Sequence, residues 1–374
     1  MAMLAVARAR WIEALAPRSE RIAASEARQR AVWEGTSEYT PLIMGAPLTE
    51  VQEAALPPAV PLDQEYLSHE HTLTNGLRQV AALLNSDCDA TPCIRPNMGT
   101  GICATVFGCR QVTFPDKMPW VTQHMPLTTL DDFDVDAAPL GPDMEMAIER
   151  ARYLAEVLHG TGITPYCFDT QGPFSLAHLV IGNEIFFALY DEPERVHRLL
   201  DQCVRLIIRV TRLYKEVTRE PVDGGRHSGF LTMRGGIRVC EDTATLLNAD
   251  QIAEFVLPYT RRLLAAFGGG WIHYCGRNDH LYRAVMDEMP EAYGINFGNP
   301  EKHDMGAVVR DCIERGKVYV GEIPQAPEEN LEAYFRRVLS YTGYSGRGLI
   351  LQCGQRADAR EAIRLWRRLQ GVEG

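Results

Sequence analysis

The sequence predicts an α/β barrel of parallel strand–helix units behind a helical N-terminal extension. Three observations predict it. From about residue 140 onward, short apolar runs alternate with amphipathic helical stretches at least five times, the pattern of βαβ units around a parallel sheet. The apolar runs end in polar, glycine-bearing tips, "DTQGP", "HYCGRND", "NFGNP", "GEIPQ" and "QCGQR", and in a barrel such tips meet at one rim. No GxGxxG or Walker A loop is present, which disfavours a nucleotide-binding doubly wound sheet.

In chain order, residues 1 to about 38 read as a charged helix with Ala, Leu and Ile on one face. Residues 40–64 are proline-rich, with one short strand, "PLIMG", and then loop. Residues 66–84 suit a helix, and "CIRPNMGTGICATVFGC" (93–109) a strand entering a glycine-rich turn. A helix near 142–159 precedes the strand "ITPYCFDTQGP". Helices near 175–190 and 192–218 follow, with Asp191 and Glu194 spaced as a capping box for the second. Next come strands at "HSGFLTM" (227–233) and "GIRVC", a helix near 249–267 and the strand "WIHYCG". A helix from about 279, the strand "AYGINFGN" (292–299), and a helix near 304–315 continue the alternation. It ends with "KVYVGEIP" (317–324), a helix near 327–342, "GLILQCGQ" (348–355) and a last helix to about 370. With no repeat and no low-complexity linker, residues 1–64 form the extension and 65–374 one barrel.

The 374 residues are 46% hydrophobic, ample for a large core. With 38 basic and 49 acidic residues the net charge is −11 and no basic block stands out, so nucleic acid is not an expected partner. The most apolar window, 162–190, carries Asp169, Gln171, His178, Asn183 and Glu184, which argues against a membrane span. The ten cysteines are spread without a tight framework. That suggests a cytoplasmic protein with reduced thiols, in which a cysteine at a strand tip points to metal binding or catalysis.

His273 and Cys275 lie two apart on a predicted strand end, so their side chains share a side. Imidazole and thiolate are the usual ligands of zinc. Cys353, on the last predicted strand, can complete a His–Cys–Cys set that leaves a fourth position open. Glu241 and Asp242 follow "GIRVC" and suit either an oxygen ligand or a helix cap. Cys240 beside them suits a buried strand end. Asn278, Asp279 and His280 suit a pocket lining or an N-cap. Gln171 and Asn296 would face the rim, and Arg95 and Asn97 would meet an anionic substrate tail or form a surface turn. Glu322 is the acid at a strand tip outside the metal set; it would accept a proton, support a ligating histidine, or form a salt bridge.

"HYCG" followed some 77 residues later by "QCG" resembles the H-x-C…C zinc motif of the cobamide-dependent methyltransferases of the uroporphyrinogen decarboxylase superfamily. The stretches at 170–201 and 241–263 are similar too, and the resemblance runs over about residues 90–370. It implies a (β/α)8 TIM barrel with Zn²⁺ on His273, Cys275 and Cys353. It further implies methyl transfer between a corrinoid, carried on a partner protein, and a thiol or other small acceptor or donor. The first 60 residues lack the arginine-rich, glycine-containing signature of the decarboxylases, which favours the methyltransferase branch. Two alternatives stay open: a metal-free decarboxylase of a tetrapyrrole-type acid, and a non-catalytic corrinoid- or tetrapyrrole-binding protein. The direction of transfer and the oligomeric state are left open by the sequence.

Overall fold

The computed structural model describes residues 19–372. Its strands are β1 (Leu42–Met44), β2 (Cys93–Ile94), β3 (Arg110–Val112), β4 (Trp120–Gln123), β5 (Thr164–Pro165), β6 (Gly224–His227), β7 (Leu231–Arg234), β8 (Ile237–Cys240), β9 (Gly270–Tyr274), β10 (Ala292–Phe297), β11 (Val318–Gly321) and β12 (Leu349–Cys353). Six form a parallel sheet in the order β1-β12-β11-β10-β9-β8, and β2 with β5 forms a separate parallel pair. Helices separate the sheet strands along the chain. Strands β1 and β11 are buried at every position, as expected where both faces are covered.

No continuous ladder joins the six-stranded sheet to the β2–β5 pair among the described residues. Single backbone hydrogen bonds span the two seams instead, Asp89 N–H to the Leu42 carbonyl (3.0 Å) and Gly172 N–H to the Cys240 carbonyl (2.7 Å). The first seam is backed by the N-terminal helix Ser19–Trp33. Gln29 there is fully buried, donates to the carbonyls of Asp89 (2.7 Å) and Phe230 (3.0 Å), and accepts from Thr232 N–H (2.6 Å). Trp33 donates from its indole to the Thr232 carbonyl at 2.7 Å. Residues 1–18 of the expected N-terminal helix lie outside the described residues.

Several expected elements differ. "HSGFLTM" is not a barrel strand: β6 and β7 pair antiparallel, with Ser228 in the left-handed region (φ 57°) at the turn, and the parallel strand follows as β8. Of "ITPYCFDTQGP" only Thr164–Pro165 pairs, and Gln171 further on is left-handed (φ 59°). The expected helix at 175–190 is two, Pro173–Ile181 and Glu184–Asp191, bent by 108° after Gly182 (φ 66°). Asp191 ends the second rather than capping the next, which begins at Pro193 with no side-chain cap; a proline suits that first position because its missing N–H has no helical acceptor anyway. In the helix near 249–267, Asn248 and Gln251 form a capping box, and a π turn at Ile252–Val256 precedes Leu257–Ala265. Pro258, lacking an N–H, cannot make the regular bond back to residue 254. No single described helix is long and apolar enough to cross a membrane.

Candidate metal centre

The carboxyl ends of three neighbouring strands build the site. Cys240 on β8 is the register partner of His273 on β9, which is the partner of Asn296 on β10. The histidine's Nδ1 meets Asn296 Oδ1. The amide is oriented from its other side, where Nδ2 donates to the Val320 carbonyl. Because Oδ1 can only accept, Nδ1 carries the proton and the Nε2 lone pair is free. That nitrogen faces Cys275 Sγ at 3.6 Å and Asp242 Oδ1 at 3.8 Å.

Asp242 ties the group together. One of its oxygens accepts from Cys275 N–H (2.6 Å) and the other from the Cys240 thiol (3.2 Å). Candidate ligand atoms of Cys240, Asp242 and His273 all lie within 4.8 Å of one another. Gly298 makes room for the exposed Cys275: a Cβ there would meet its Sγ at 2.4 Å. Burial, then the Arg238 charge, holds His273 below its usual range, so the imidazole is neutral. Burial, then Asp242, raises Cys275 to about 11. The deeply buried Cys240 is raised well above the usual thiol range, by burial first and by Asp169 and Asp242 against the pull of Arg238. A neutral imidazole with a free lone pair, thiols and one carboxylate suit a borderline-soft divalent ion.

The other sequence-derived residues divide. Cys353 is not in this group: its thiol lies 3.8 Å from the Tyr334 hydroxyl, in a rim cavity of about 320 Å³ shared with the exposed Glu322. Burial raises it to about 11. Glu241 takes the opposite side of the chain from its neighbours, accepting from Thr260 Oγ1 (2.9 Å) and Ser175 N–H (3.2 Å). A Cβ on Gly172 would lie 2.3 Å from its carboxyl. Arg95 and Gln171 converge on Asp169, at 3.1 and 2.7 Å. The Asn97 side chain accepts from Gly99 N–H at 3.5 Å, and its backbone carbonyl accepts from the buried Arg150 at 2.9 Å. Asn278 is a cap, accepting from His280 and Leu281 N–H, and Asp279 pairs with Arg277 at the surface.

Sequence reasoning missed Arg238, Asp169 and His227, which line the space beneath the group, and Trp271, the register partner of Arg238. The period-two face of "GIRVCED", which places Arg238, Cys240 and Asp242 on one side, carries that signal for Arg238. Asn296 was legible as a rim residue but not as the group that sets the tautomer of His273, because its partner lies 23 residues away on another strand.

No family model and no curated protein matches the sequence. Among solved structures, the chain is similar to a methyltransferase from Methanosarcina mazei, with a TM-score of 0.65 and 15% identity over 93% of this chain and 99% of that one. What the two share at that identity is the fold, along nearly the whole length of each.

Proposed function

We propose that this protein is a zinc-dependent methyltransferase that moves a methyl group between a corrinoid, held by a partner protein, and a thiol or another small acceptor or donor. The fold reading behind it is an eight-stranded barrel, β1, β2, β5 and β8 to β12, opened at two seams. The observation that carries the reading is the free Nε2 of His273, fixed by Asn296 and set among Cys275, Asp242 and Cys240. The H-x-C…C spacing and the fold shared with a methyltransferase support it.

His273 and Cys275 would hold the ion, with Asp242 the nearest oxygen donor; Cys353, the third residue of the H-x-C…C spacing, would join them only by leaving its Tyr334 neighbour in the adjoining rim cavity. Bound zinc supplies Lewis acidity that lowers the pKa of a coordinated thiol or polarises a methyl donor. Asn296 keeps the histidine in the ligating tautomer. Asp242 positions the Cys275 backbone and accepts the Cys240 proton. Glu322, which lines the Cys353 cavity, would take up or return a proton at the solvent edge.

The test is zinc content together with methyl transfer from free methylcobalamin to a small thiol. About one equivalent of zinc in protein purified without chelator, with transfer lost in Cys275→Ser and Cys353→Ser, is the expected result. Less than about one-third of an equivalent, or full activity in both variants, would overturn it and favour the metal-free decarboxylase.

A further inference from the structure

Three large, exposed apolar side chains gather beside the candidate metal centre. Phe187 (71% exposed) and Tyr190 (72%) stand one turn apart on the helix Glu184–Asp191, and Leu246 (70%) ends the short turn Thr243–Leu246. A single exposed apolar residue is ordinary, whereas a group ringed by polar residues marks a contact surface. Hydrogen bonds hold this group together. The Gln251 amide donates to the Tyr190 hydroxyl (3.0 Å), and its oxygen accepts from Asn248 N–H (3.1 Å), two residues beyond Leu246. The group is tied to the centre as well. Leu246 lies four residues after Asp242, a reach of at most about 14 Å of chain. Asn278, three residues past Cys275, donates to the carbonyls on both sides of Leu246, those of Thr245 (3.0 Å) and Leu247 (2.8 Å). A body seated on Leu246 therefore stands beside Cys275.

Charge narrows what can cover it. The two segments that carry the group, 173–192 and 239–260, contain no Lys or Arg. Exposed acids ring it, with Glu184 and Asp191 on the helix and Asp250 and Glu254 beyond Leu246. The neighbouring bases are already engaged. Arg195 pairs with Asp131 and Glu192, Arg198 with Asp131, His197 with Glu254 and Arg277 with Asp279. In a two-fold pair of copies this acidic ring would face itself, and the negative surface of an anionic bilayer would repel it. Its complement is a protein face with an apolar centre and a rim of Lys and Arg.

We infer that Phe187, Tyr190 and Leu246 form the docking surface for the corrinoid-carrying partner, and that the partner meets it with a basic-rimmed apolar face. The inference rests on the methyl-transfer reading, which requires the carrier to reach the rim at His273 and Cys275, but it uses none of the candidate ligands. The apolar centre supplies the contact, and the acidic ring sets the orientation and the choice of partner.

Photocrosslinking tests it. The full chain, with the photoreactive p-benzoylphenylalanine in place of Phe187, is expressed in the source organism, irradiated, and its crosslinked products identified by mass spectrometry. The expected product is a protein that binds a corrinoid and crosslinks through a segment containing Lys or Arg. A second copy of this chain, a lipid, a protein without corrinoid, or no product at all would overturn the inference. With that carrier purified, Phe187→Ser and Leu246→Ser should each raise KM for the methylated carrier by about tenfold or more and leave transfer from free methylcobalamin unchanged. Added salt should raise the same KM for wild type, because it screens the acidic ring. An unchanged KM for the carrier, or an equal loss with both donors, in variants that melt like wild type, would overturn the docking surface. The two readings fail separately. A corrinoid carrier captured by protein that binds no zinc defeats the metal centre alone. Bound zinc and turnover of free methylcobalamin, with no carrier crosslinked at position 187, defeat the docking surface alone.

Discussion

His273 and Asn296 are register partners on adjacent parallel strands, and the asparagine's carbonyl oxygen takes the histidine's Nδ1 proton. A side-chain pair thus decides which imidazole nitrogen faces the thiols. Outer partners of this kind set ligand orientation and basicity, and their loss typically lowers metal affinity by about 10–100-fold. Asn296→Ala should therefore weaken zinc binding by that factor in a chelator competition while the far-ultraviolet circular dichroism stays unchanged. Wild-type affinity in the variant would show that the pair is structural only.

The candidate thiols at the rim differ in their surroundings. Burial raises Cys275 and Cys353 to about 11, while Cys240 is pushed well above the usual thiol range by burial, with Asp169 and Asp242 adding to it against Arg238. A metal draws its thiolates from the groups that cost least to deprotonate. Cys275→Ser and Cys353→Ser should each lose most bound zinc on gel filtration, and Cys240→Ser should keep it. The reverse pattern would move the ligand set to Cys240, Asp242 and His273.

The alternation of strands and helices was legible because each unit is local, and so was the H-x-C pair, whose two side chains one strand presents. What local pattern could not show is the pairing between distant segments. "HSGFLTM" carries a strand's composition, yet it folds back as a hairpin because Phe230 and Gly229 accept from Thr91 and Cys93 at the seam. Glu241 and Asp242 are equivalent on paper. Strand alternation sends the first to Ser175 and Thr260 and the second to Cys275. Cys353 was legible as a thiol at a strand tip, while its Tyr334 neighbour comes from the helix Leu331–Tyr341.

The seam yields a stability prediction. Gln29 satisfies three backbone groups, at Asp89, Phe230 and Thr232, with no exposure to water. Gln29→Ala removes this partner from the Asp89 carbonyl and the Thr232 N–H, at about 1–3 kcal/mol for each that no water reaches, while the Phe230 carbonyl keeps Thr91 N–H (2.8 Å) and Thr91 Oγ1 (3.0 Å). Urea unfolding should show a loss of at least about 2 kcal/mol. A variant within about 0.5 kcal/mol of wild type would mean that the helix Ser19–Trp33 does not brace the seam.

Glu241 should make stability depend on pH in a stated direction. The carboxyl is 1% exposed, and burial raises its pKa from 4.5 to about 7, although Thr260 and Ser175 donate to it and pull the other way. The native state then holds this proton more tightly than the unfolded chain does. The resulting stabilisation is fully present below pH 4.5 and is lost as pH rises through about 7. The gap corresponds to roughly 3 kcal/mol. Glu241→Gln removes the titration and can keep the contacts, its carbonyl accepting from Ser175 N–H and its amide donating to Thr260 Oγ1. Between about pH 4.5 and pH 8 the variant should therefore gain on wild type in melting temperature, with the two close together at the acid end. Parallel melting profiles for the two proteins across that range would show that Glu241 is not the group responsible.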